Sequence, residues 1–326
     1  MQFRTCVKPL PGRKGLITHG EPLLLIGSCF SDNIGVKLRD ELFEVTVNPF
    51  GPIYNPCSIL RALECLKEAD EVKPSDLFEH CGIWHSFMFH SRYSADNPQK
   101  AAEIMTKRIK EGGRTLREAK VIMLTLGNTK VYYHNSSEAP VANCHKLPGN
   151  EFTTSIPGVD ETATILNDIC ATIREVNPDA EIIFTVSPLR YLGDGAHANQ
   201  IAKATLLLAV DHTVATHQHT EYFPAYEIMM DDLRDYRFYA DDMKHPSEMA
   251  VNYIYDIFRG SYFDDTTVST AEAAAKLTRR LSHRILTTAG NEAESETNAR
   301  RRQGEKLLST YPKLLRAYKR YNINEI

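Results

Sequence analysis

Apolar residues in this chain gather in short unbroken runs, and between the runs they recur at helical spacing. The runs at residues 23–26, 43–47, 121–126 and 182–186 are too short for helices and lack strict polar alternation, which predicts strands buried on both faces. Turn residues and stretches of helical spacing come between them, at 31–42, 56–69, 162–176 and 198–214. A shorter fifth strand is expected within 220–226 and a last core helix over 247–258. Strand and helix in alternation predict an α/β fold, a parallel sheet whose right-handed crossovers cover both faces.

Two segments break the alternation, 78–96, rich in His and aromatic residues, and 129–157, rich in His, Tyr, Asn and Pro. Insertions at the carboxyl ends of parallel strands are where a pocket is built. After Tyr262 the character changes: 271–289 is rich in Ala, Leu and Arg, 291–298 is polar and acidic, and 300–319 returns to helical spacing with basic residues. The expected division is a sheet domain over 1–262 and a helical extension over 263–326. Such an extension packs on the sheet domain or on a second copy, so self-association is expected to use these helices.

Composition narrows the function classes. The chain has 326 residues, 42% hydrophobic and 25% charged, enough for one substantial core with a smaller appended element. A net charge of −4 gives no electrostatic reason to expect nucleic acid or an anionic membrane as partner. The amino-terminal residues lack the apolar stretch of a signal peptide and no run is long enough to span a bilayer, so a cytoplasmic protein acting on a small molecule is expected. Seven cysteines without a CxxC pair indicate neither a disulfide framework nor a zinc knuckle. The near pairs His85 with His90 and Cys144 with His145, and the group His212, His217 and His219, do not reproduce a helical His-x-x-x-His site, so no metal is expected. The phosphate-loop and dinucleotide glycine patterns are absent, and no cofactor is expected.

The chemistry concentrates at strand ends. The first strand runs into Gly27-Ser28-Cys29-Phe30-Ser31, a thiol and a hydroxyl side by side where the next helix points its free N–H groups, a place that favours an ionised nucleophile. The second ends in Asn48-Pro49-Phe50-Gly51-Pro52 and the third in Leu126-Gly127-Asn128-Thr129; if the first and third strands are neighbours, these loops meet at one switch point. A base is supplied by Asp242-Met243-Lys244-His245-Pro246, where the carboxylate can hold the imidazole in one tautomer while it takes a proton from Cys29 or Ser28. Donors for a developing oxyanion would be the backbone N–H groups of Cys29 and Gly51 and the side-chain amide of Asn128. A lone cysteine is more often a small buried hydrophobe, and Asp-x-x-His-Pro before a helix can be only a cap; the two motifs together favour chemistry.

At these residues the chain resembles the SGNH (GDSL-like) hydrolase superfamily, and Gly27-Ser28-Cys29-Phe30-Ser31 resembles the signature of its bacterial GSCFA branch. The first-block Gly-Asp-Ser falls on Gly27, Ser28 and Cys29, the second-block glycine on Gly51, the third-block Gly-x-Asn region on Gly127 and Asn128, and the fifth-block Asp-x-x-His on Asp242 and His245. The chain departs from the pattern in placing Cys29 where the superfamily usually has serine, and in bringing Asn128 directly after Gly127. Ser31 and Gly35 offer another register, ranked behind Cys29 and Ser28. The resemblance, over roughly residues 20–262, implies a flavodoxin-like three-layer α/β/α fold with a sheet of about five strands. It further implies an esterase or acyl hydrolase acting on an acyl ester of a small molecule or carbohydrate. Acyl transfer to a glycan or metabolite and a non-catalytic carbohydrate- or metabolite-binding module are the alternatives. His85, His90, Asn143, His145 and Ser187 are the expected substrate-binding residues.

Overall fold

The computed structural model describes residues 5–8, 12–282 and 291–321. The first strand, β1 (Leu23–Gly27), leads into α1 (Cys29–Asp40), β2 (Val45–Val47) and α2 (Pro56–Glu68). The first insertion carries the hairpin β3 (Phe78–His80) and β4 (Ile83–His85), followed by α3 (Pro98–Glu118) and β5 (Val121–Leu126). The second insertion is the small sheet of β6 (Val131–His134), β7 (Ala139–Val141) and β8 (Phe152–Ser155). Then come α4 (Val159–Val176), β9 (Glu181–Val186), α5 (Ala196–Thr216), β10 (Thr220–Tyr222), the single turn α6 (Ala225–Glu227) and α7 (Glu248–Tyr262). Three further helices follow: α8 (Asp265–Ser282), α9 (Asn291–Thr310) and α10 (Leu315–Arg320).

The main sheet is parallel throughout, in the order β10-β9-β5-β1-β2. The order reverses direction at β1, which lies between β2 and β5 in register Leu23↔Val45 and Leu23↔Val121. The expected adjacency of the first and third strands is therefore met, and the loops after β1 and β5 open on one crevice. Alternate side chains separate into two cores. Leu24, Ile26, Ile122 and Phe184 meet α2, α3, α4 and α5 on one face, while Leu23, Leu25, Met123 and Ile183 meet α1 and α7 on the other. Residues buried on both faces explain why the strands read as unbroken apolar runs.

Several elements differ from expectation for local reasons. The helix after β1 begins at Cys29 rather than at residue 31, because Ser28 caps it. The fifth strand stops at Tyr222, just before Pro224, which has no N–H to continue a ladder. Helix α3 is not evident from the sequence, since it is largely polar and carries Gly112-Gly113 in its interior. Those glycines are required by packing: a Cβ on Gly112 would lie 2.7 Å from Leu66 Cδ2, and one on Gly113 2.5 Å from Leu66 O.

Beyond α7 the chain folds back on the sheet domain. Leu277, Leu281, Leu307, Leu314 and Tyr318 gather with Leu42 in a third apolar cluster. Tyr321 reaches the outer edge of the sheet, where its hydroxyl accepts from Val45 N–H at 3.0 Å and donates to Phe43 O at 2.7 Å. The expected segment 271–289 is helical as far as Ser282, and its remainder lies outside the described residues.

Candidate active site

The turn after β1 is held from three sides. Gly27 has φ +147°, and a Cβ there would sit 2.2 Å from Thr125 O, so no side chain fits. Ser28 accepts a hydrogen bond from Phe30 N–H at 3.2 Å and donates to Ser187 Oγ at 2.9 Å. From the end of β2, Asn48 accepts from Gly27 N–H at 2.9 Å and donates to Asp32 at 2.8 Å. The thiol of Cys29 thus stands on the first residue of α1, and its own N–H has no hydrogen-bond partner in any other described residue.

The charges around this thiol compete. Burial pushes the Cys29 thiol up and Asp32 adds to that, while the N–H groups of Cys29 and Phe30 and the ammonium of Lys203 pull it down. The net direction is upward, so the helix N-terminus does not by itself ionise the thiol as the sequence suggested: burial and the first-turn carboxylate outweigh it. Lys203, on α5, is fully buried and donates to Gly127 O at 2.9 Å and Ser187 O at 2.8 Å. Burial lowers its ammonium to about 7.

Asp242 and His245 form a linked pair on the loop before α7. Asp242 Oδ1 accepts the backbone N–H groups of Lys244 and His245, both at 2.9 Å, and Oδ2 lies 2.5 Å from His245 Nδ1. The backbone bond from His245, its imidazole and the Lys244 N–H hold the carboxyl well below the usual carboxylate range. A carboxylate at Nδ1 keeps the proton there and leaves the Nε2 lone pair available, the tautomer a general base requires. The loop is tied to the β9 end by Arg190 N–H to Lys244 O at 3.1 Å. His245 lines a pocket of about 430 Å3 together with Tyr54, Asn128, Lys130, Tyr132, Asn143 and Tyr191. Its one lining cation is neutralised, since Lys130 pairs with Asp194 at 2.8 Å.

The sequence profile of the GSCFA family matches residues 22–258, most of the chain and all of the main sheet. The chain belongs to the GSCFA family. No curated protein matches it. Among solved structures it is similar to a family two carbohydrate esterase from Clostridium thermocellum in complex with cellohexaose, at 13% identity and a TM-score of 0.34. The similarity covers 80% of this chain and 66% of that one, so the chain spans just under two thirds of that neighbour's length.

In this GSCFA protein the residues expected at the site separate into two groups. Asn128, Asn143 and His245 line one pocket. Asn128 accepts from the N–H groups of Thr129 at 2.7 Å and Lys130 at 3.2 Å, and its NH2 group has no hydrogen-bond partner among the described residues. Cys29 and His245 are not hydrogen-bonded to each other. Gly51 does not offer its N–H to an oxyanion, because that group already donates to Asn48 O at 2.8 Å in a turn with φ +88°. Ser28 and Ser31 are fully buried and spent on structure, Ser31 donating to Thr125 Oγ1 at 2.8 Å.

The remaining expected substrate contacts are also reassigned. His85 and His145 pack against each other between the two insertions, ring centres 4.4 Å apart and planes tilted by 38°, and Ser187 is fully buried and accepts the Ser28 hydroxyl. His90 caps a turn through Arg92 N–H at 3.1 Å, and its Cβ is what forbids a side chain at Gly51. None of these four lines the pocket that holds His245. Sequence reasoning missed Asn48, Tyr54, Tyr132, Tyr191 and Lys203. Tyr54 was the most accessible of these: it follows Gly51-Pro52 at a strand end, and its carbonyl accepts from both Gly127 N–H at 2.7 Å and Asn128 N–H at 2.9 Å.

Proposed function

We propose that this protein is an acyl hydrolase of the esterase type, with Cys29 as nucleophile, His245 as general base and then acid, and Asp242 as the group that orients His245. The observation that carries this reading is the Asp242–His245 pair, locked in one tautomer on the rim of a pocket shared with Asn128. A thiol held above its ordinary range is not ionised in advance, so His245 Nε2 removes the proton as sulfur attacks. The new S–C bond places negative charge on the carbonyl oxygen, which the free N–H of Cys29 and the amide of Asn128 are disposed to receive. Collapse returns that electron pair to the carbonyl and breaks the C–O bond, and the alcohol leaves with the proton from His245. Water, deprotonated by the same imidazole, then cleaves the thioester and restores the thiol.

The pocket suits a neutral polyhydroxylated alcohol as the carrier of the acyl group. Tyr54, Tyr132 and Tyr191 supply apolar ring faces with polar tips, Asn128 and Asn143 supply amides, and the lining ammonium is already paired. The test is turnover of a panel of O-acetylated sugars and short acyl esters by the full chain. Cys29→Ala and His245→Ala should each abolish release of the carboxylic acid, while Ser28→Ala should retain it. Full activity in Cys29→Ala would overturn the reading.

A further inference from the structure

Lys203 is the most deeply buried charged side chain among the described residues, at 1% exposure, and no carboxylate pairs with it. Its partners are two main-chain carbonyls, Gly127 O after β5 and Ser187 O after β9, and the ring of Tyr226 lies 5.5 Å away. A buried ammonium satisfied only by dipoles is costly, and a neutral side chain of the same length would be favoured if packing alone decided. The groups that act on it are Arg190, from the loop after β9, which repels it, and Cys29, whose thiolate attracts it.

These contacts converge on the nucleophile's turn. Gly127 precedes Asn128 of the pocket, and Ser187 receives the Ser28 hydroxyl that caps α1 at the residue before Cys29. We propose that Lys203 is a positioning residue for Cys29: its ammonium clamps the ends of β5 and β9 under the site and offsets the charge of the Cys29 thiolate as it forms. This deepens the proposed role of Cys29 and rests on it. The coupling is mutual, since each group in its charged form favours the charged form of the other.

The test uses the full chain and the rate of Cys29 alkylation by iodoacetamide against pH, read peptide by peptide. Lys203→Gln keeps a donor for the two carbonyls and removes the charge, while Lys203→Met removes both. At pH 6, below the Lys203 midpoint of about 7, the Cys29 alkylation rate in folded Lys203→Gln should fall about tenfold. A purely structural role predicts no fall in Lys203→Gln, and that result would overturn the assignment. The reciprocal measurement needs no change at Lys203: the side-chain nitrogen titration of Lys203, followed by NMR in isotope-labelled protein, should move to higher pH in Cys29→Asp, which holds a negative charge where the thiolate forms. An unchanged Lys203 midpoint there would also overturn it. Both changes together support the assignment even if Cys29→Ala keeps turning over esters, an outcome that would end the enzymatic reading alone.

Discussion

The adjacent pair Ser28 and Cys29 divides its labour by hydrogen bonding. Ser28 is an N-cap whose oxygen also serves Ser187, so Ser28→Ala should lower stability by roughly 1–3 kcal/mol, seen as a drop in urea midpoint, while leaving turnover per folded molecule unaltered. Asp242 acts only through the imidazole. Asp242→Asn should therefore cut turnover by about a hundred- to ten-thousand-fold with a small change in KM, measured with the best ester of the panel. The thiol, the imidazole and the carboxylate were legible because each lies in a short motif whose spacing is local. Asn48, Tyr54 and Lys203 were not, because what makes them matter is which strand end lies beside which. Lys203 sits in a helix amid apolar residues, and nothing in that stretch shows that its amine reaches carbonyls 76 and 16 residues away.

At the scale of elements, the parallel strands were readable because burial on both faces leaves no polar alternation to confuse the pattern. The insertions were not, since β3, β4 and β7 are three residues each and offer no period to detect. Helix α3 was missed because its Gly-Gly pair signals a break while in fact admitting Leu66. Gly112→Ala should accordingly cost roughly 1–3 kcal/mol in spite of alanine's higher helix propensity, the opposite sign to an exposed glycine and readable by thermal unfolding. The outer edge of β2 is a second place where one side chain serves an element. Tyr321→Phe leaves Val45 N–H and Phe43 O without the hydroxyl that joins them, and should destabilise by roughly 1–3 kcal/mol and promote aggregation, measured by light scattering on warming.

Across the whole molecule, two histidines that do not line the pocket set a common acid limit. Burial brings both His19 and His145 down to about 4; His19 stacks on Phe43 at 3.9 Å and His145 packs against His85 with its ring tilted. In the unfolded chain these imidazoles titrate at their ordinary value of 6.5, so between 6.5 and about 4 the unfolded state binds the extra protons. Stability should then be full above pH 6.5 and decline as pH falls toward 4, a slope that His145→Phe should reduce in denaturant titrations at stepped pH. The hydroxyl that seals β2 stands 276 residues after Val45 in the chain. During synthesis at the usual 5–20 residues per second, that edge stays open for roughly 14 to 55 s after Val45 is made. The nascent sheet therefore passes through that interval with a strand edge that other chains can pair with, because the residue that closes it is made so late.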